Sequence, residues 1–140
     1  MISLFGATDV LRIVTTSTAN LDITGTWVTN TEPVGFWPIR QTIASATTTT
    51  IADAPGADLK KDVFKLTVRN RHASAANMVT LQIFDGTTAW EIGKFTLAAG
   101  EQAMFDGLNG WEYISAQGLP KTSQSQGSSA AAISAVNLVV

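Results

Sequence analysis

The sequence predicts an all-β protein, an antiparallel β-sandwich of about eight strands, with a jelly roll among the topologies it allows. Three observations carry that expectation. Apolar residues recur with period 2 rather than 3.6 along most of the 140 residues. Turn residues interrupt the alternation at intervals of roughly 8–12 residues, the spacing of a sandwich or barrel. No stretch combines helix caps with an amphipathic helical pattern.

Taken in order, Val10, Leu11, Ile13 and Val14 form a β-branched run that stops at a turn over residues 17–20. Leu21, Ile23, Gly25 and Trp27 then share one face, with Asp22, Thr24 and Thr26 on the other, as a half-buried strand requires. Residues 30–38 hold Pro33 and Pro38, and a proline removes a ladder donor, so this stretch is expected as a loop or an edge. Residues 39–51 read as one long extended run, stiffened by four consecutive threonines. Asp53, Pro55 and Gly56 break it.

Residues 62–116 alternate most cleanly. Phe64, Leu66 and Val68 lead to a polar connection at residues 70–76, and Val79, Leu81 and Ile83 follow. Asp85-Gly86 signals a tight hairpin. Trp90 and Ile92 start the return, and two further short strands cover residues 102–106 and 111–115. Gly25 and Gly93 fall inside strands, where a bulge or close packing accounts for them. The sandwich is expected to occupy residues 1–118. Residues 119–140 are expected as a flexible linker, rich in Ser, Gln and Gly, and an apolar C-terminal arm. That arm either folds back onto its own sheet or pairs with a neighbouring subunit by strand addition.

Composition narrows the function classes. Charged residues make up 14% of the chain, well below the quarter or so of an average soluble domain, which suits a surface partly covered in an assembly. The formal charge is −2 without a basic run, so nucleic acid is not an expected partner. The apolar stretch from residue 130 to 140 is too short to span a bilayer, and no membrane association is expected. The chain has no cysteine, so disulfides and thiolate chemistry are excluded.

No catalytic site, metal site or cofactor is expected. The single histidine, His72, lies in a loop without an evident acid or nucleophile to work with, and reads as a turn residue. The eleven carboxylates are dispersed, and no EF-hand spacing occurs; a calcium site built from several loops is the one arrangement left open. Trp27, Trp90 and Trp111 are expected as core anchors. Phe36 and Trp37, aromatics in a proline-flanked loop, divide between a lid on the sandwich and a contact surface. Arg69 and Arg71, in the only small basic cluster, divide between a subunit contact and a solvated turn. Val136, Leu138 and Val139 complete the candidate interface through the C-terminal arm.

Three segments, residues 65–74, 79–88 and 94–102, resemble small virion structural proteins of tailed bacteriophages, with the order Arg69-Asn70-Arg71-His72 turn, Asp85-Gly86 hairpin, Ala98-Ala99-Gly100-Glu101 turn. Residues 9–16 and 21–27 are similar to the start of the same proteins. The likeness is greatest to capsid decoration (cement) proteins. It implies a non-enzymatic role on the outer capsid surface, bridging neighbouring major capsid subunits, in a protein made in the host bacterial cytoplasm that self-associates as a dimer or trimer. The other role it implies is an attachment domain of a head or tail fibre, which would bind a host-surface glycan or another virion protein.

Overall fold

The computed structural model describes residues 1–29, 35–57 and 59–121. Among the described residues there are eleven strands: β1 (Ile2–Leu4), β2 (Val10–Thr15), β3 (Leu21–Thr29), β4 (Phe36–Ile43), β5 (Thr48–Ala52), β6 (Lys61–Asn70), β7 (Asn77–Phe84), β8 (Ala89–Leu97), β9 (Gln102–Asp106), β10 (Gly110–Ile114) and β11 (Pro120–Lys121). They form two antiparallel sheets. One runs β11-β10-β9-β6-β3-β4, with β1 sharing an edge of β6 with β9; the other runs β5-β2-β7-β8. Among the described residues there is no helix.

The pairs β4·β3, β5·β2, β6·β9 and β7·β8 fall alternately in the first and second sheet. In that alternation two antiparallel runs of strands wrap around the one core of a β-sandwich. Here the chain enters and leaves part-way along one run, between β9 and β2, and not at the end of the ladder.

Alternation in the sequence becomes burial in the fold. Leu11 and Ile13 of β2, Leu21 and Ile23 of β3, Val63, Leu66 and Val68 of β6, and Val79 and Leu81 of β7 are all fully buried in a single core between the sheets. Each such side chain stabilises the fold by roughly 2 kcal/mol. Gly25 has a steric role in this packing. A Cβ there would lie 2.3 Å from the Lys65 carbonyl oxygen of β6, so any side chain would push the two central strands apart.

One local expectation is corrected. Residues 39–51 do not make one run: β4 and β5 lie in different sheets, separated by the exposed turn at residues 44–47. The hydroxyl of Thr15 holds that turn, donating to the Ser45 carbonyl at 2.6 Å while accepting from the Thr47 N–H at 3.1 Å. Ala44, Ser45 and Ala46 carry no large apolar group to bury, so the chain can leave one sheet and cross to the other there. The β7–β8 hairpin has a four-residue connection, closed by Asp85 N–H to the Thr88 carbonyl at 3.1 Å. The Asp85 carboxylate accepts from the N–H groups of Thr87 and Thr88, and Gly86 supplies a φ of 98°.

The sheets differ in width. On one flank β4 and β5 approach each other; on the other, β10 reaches over β8, with the Trp111 and Tyr113 rings 5.4 and 5.9 Å from the Phe95 ring. The wider sheet therefore overhangs the narrower one beyond β8.

Candidate functional site

The flank formed by β4 and β5 carries the most developed surface feature. Between them lies a groove of about 300 Å³, lined by Trp27, Pro38, Arg40, Gln41, Asp53 and Lys61 among others. Strand geometry puts these groups together. Ile39 and Ile43 of β4 point into the core, and Gln41, on the same face, meets the groove instead. Thr26↔Pro38 and Trp27↔Trp37 are directly paired across β3 and β4. The two indoles stack with centroids 4.8 Å apart and planes 13° from parallel. Pro38 fits because β4 is an edge strand.

Lys61 forms the floor. It is buried, its Nζ donates to the Asp53 carbonyl at 2.7 Å, and it sits 3.9 Å from the centroid of the Trp27 ring. Loss of hydration on burial lowers the Lys61 pKa below its usual 10.5, and the neighbouring Asp53 charge opposes that shift. The site thus offers a cation already stripped of water, Arg40 and Gln41 on one wall, and aromatic surface at its rim.

Phe36 and Trp37 are not loop residues and do not line the groove; Trp37 adjoins it through its stack on Trp27. Both lie on β4, Phe36 73% and Trp37 40% exposed. Arg69 and Arg71 are elsewhere. Phe36 pairs with Val28, whereas Asn70 pairs with Leu21, seven residues along β3 and hence about 20 Å away. Arg69 is exposed, and Arg71 is in an ion pair with Asp22 at 2.8 Å on the surface. Val136, Leu138 and Val139 lie outside the described residues.

The turn at residues 70–77 is held by the residues between the arginines. Asn70 is fully buried: its amide donates to the carbonyls of Ala75 (2.8 Å) and Leu97 (3.0 Å), and its side-chain oxygen accepts from the His72 N–H (2.9 Å). Nδ1 of His72 accepts from the N–H groups of Ser74 and Ala75. His72 is a turn residue here. Among the described residues, no group of three His, Asp or Glu side chains could hold a metal ion.

Trp90 departs from expectation. It pairs with Ile83, on the inward face, yet is 52% exposed: a bulge falls at Ile92, and among the described residues β8 has no strand beside it on the side away from β7. Lys61 and Trp27 were not marked as site residues by the sequence. The double lysine at positions 60 and 61, heading a strand that then buries Val63, was the available signal.

Searches against protein-family models, curated proteins and solved structures found no match to this chain.

Proposed function

We propose that this chain is a non-enzymatic structural component of a tailed-phage particle, which decorates the capsid and bridges neighbouring major capsid subunits. The observation that carries the proposal is the β4 edge. Among the described residues it has no strand on its far side, and it presents the exposed rings of Phe36 and Trp37 at one end of that edge. A rigid β-sandwich with an adhesive edge suits repeated, symmetric attachment, in which many modest contacts give firm binding. The low content of charge supports the same reading. The test is co-sedimentation of the purified protein with shells assembled from the major capsid protein. The wild type should pellet with the shells, and F36S/W37S should stay in the supernatant. Wild type that never pellets removes the capsid role.

The groove favours a second reading, an attachment domain that binds a host-surface glycan. Trp27 beside Arg40, Gln41 and Asp53, with the partly exposed indole of Trp37 stacked on it, supplies the aromatic surface and polar groups a sugar ring uses. Quenching of tryptophan emission by host surface polysaccharide, abolished in W37A, would select this reading over the first.

A further inference from the structure

Lys61 is only 6% exposed, and a lysine that deep is rarely left without an anion. Here it has none of its own. Lys61 takes part in none of the ion pairs among the described residues. Its ammonium has one hydrogen bond, to the Asp53 carbonyl, and the ring of Trp27 beside it. A carbonyl and a ring each offer only partial negative charge, and an ammonium has three N–H groups to place. The Asp53 carboxylate is near enough to oppose the loss of charge on burial, yet it is not bonded to Lys61.

The groove gives a counter-anion somewhere to sit. Its volume of about 300 Å³ suits a single ring. Arg40, exposed and likewise in no ion pair among the described residues, lines it from β4, with Gln41 next in the strand. Asp53 lines it just past the end of β5. Of the described residues around the groove, only Lys61, Arg40 and Asp53 carry charge. Two positive charges against one negative leave one positive charge in excess, which matches a monoanion. A carboxylate carries a single charge. A phosphate monoester approaches two, and Asp53 would oppose the second. The Asp53 carboxylate and the Gln41 amide oxygen can accept from hydroxyl groups. One carboxylate and several hydroxyls on one ring describe a hexuronic acid.

We infer that the groove between β4 and β5 holds a hexuronate residue of an acidic polysaccharide, with its carboxylate on the Lys61 ammonium and its hydroxyls on Asp53 and Gln41. Arg40 adds to the field that draws the carboxylate in. This assignment presupposes a glycan site in the groove and gives its ligand a charge.

Isothermal titration calorimetry with the full chain is the test. The probes are oligosaccharides of glucuronate, galacturonate and mannuronate, each beside its carboxyl-reduced form, in which a hydroxymethyl group replaces the carboxylate on the same ring. At least one acidic oligosaccharide should bind about tenfold more tightly than its reduced form. Lys61→Met should remove that preference, whereas loss of a merely structural lysine would weaken both forms alike. Arg40→Gln, at an exposed position outside the core, should reduce the preference about threefold. Equal binding of the acidic and reduced forms would overturn the carboxylate assignment and leave the glycan site standing. So would a preference kept unchanged in both K61M and R40Q. Inorganic phosphate that displaces the acidic oligosaccharide as well as the free hexuronate does would overturn it too, in favour of a general anion site. Binding by neither form of any pair would remove the glycan site together with its ligand.

Discussion

The turn at residues 70–77 and the Phe36–Trp37 end of the edge strand β4 lie at opposite ends of β3, and both carry polar or aromatic residues that stand out in the sequence. The structure uses them in opposite ways. At the turn, the conspicuous arginines are on the surface while the two asparagines beside them are buried and bonded. Asn70 joins its own turn to β8 through Leu97, and the backbone of Asn70 exchanges hydrogen bonds with Gly100 and Glu101. Asn77 ties in the β2–β3 connection, accepting from the Thr16 N–H at 3.1 Å and donating to the Ala19 carbonyl at 3.0 Å. At β4, the stacked indoles stay open to solvent on one side, above a buried lysine. A buried polar group fully satisfied by backbone is a device for holding loops. An exposed aromatic pair on an edge strand is surface left for something else.

The largest expected effect breaks the turn. Asn70→Ala would orphan two carbonyls and one N–H in a dry site, costing roughly 3 kcal/mol in total. Thermal unfolding should fall by roughly 10 °C. Asn70→Asp should do no better, because the donors are lost and a charge is buried. A drop of only a degree or two in either variant would mean that the turn does not hold the sandwich together.

Trp37→Ala should cost far less, about 1 kcal/mol by urea titration, since a stacked pair contributes little beyond its buried area and half of this one is exposed. Its effect should appear in shell or glycan binding. A variant as unstable as Asn70→Ala would move Trp37 from the surface role to the structural one.

This contrast also explains how much could be read from residues alone. Period-2 alternation reports the local backbone and one buried face, so the central strands β2, β3, β6 and β7 were legible to within a residue or two. It carries no information on which sheet a strand joins, and the threonine-rich run at residues 39–51 therefore looked continuous although it crosses between sheets. Trp90 illustrates the same limit. Its inward direction was legible from Ile83 and the hairpin, but its exposure depends on β8 being the last described strand of its own sheet, which no local pattern encodes. The groove escaped because Lys61 is remote in sequence from Trp37, and only the β3 ladder brings them together.

The charge beneath the indoles gives a smaller effect with a definite sign. Lys61 has a lowered pKa, so between its folded value and 10.5 the unfolded chain binds more protons than the folded one, and stability rises with pH across that window. Tyr113, whose burial raises its pKa above 10.0, acts in the other direction at higher pH. Lys61→Met removes the first contribution and keeps the second. The wild type should therefore gain on K61M as pH approaches 10.5, followed by urea titration. A gap that does not change with pH would mean that Lys61 is hydrated in the folded protein, and the groove would lose its desolvated floor.

The smallest effect belongs to the far hairpin, where a carboxylate on an exposed turn does for β7 and β8 what buried asparagine does at residues 70–77. The N–H groups of Thr88 and Thr87 hold the Asp85 pKa below 3.8. A carboxylate with a depressed pKa contributes stability that is complete above its unfolded value and is lost as pH falls through the folded one. Asp85→Asn retains an acceptor oxygen for the same N–H groups but no charge. The wild type should therefore exceed D85N slightly at neutral pH, and the gap should close as the solution is acidified below pH 3.8. Water competes at this turn for every bond the carboxylate makes, whereas it is excluded from Asn70. A neutral-pH gap as wide as that of Asn70→Ala would therefore show that exposure is not what separates the two turns.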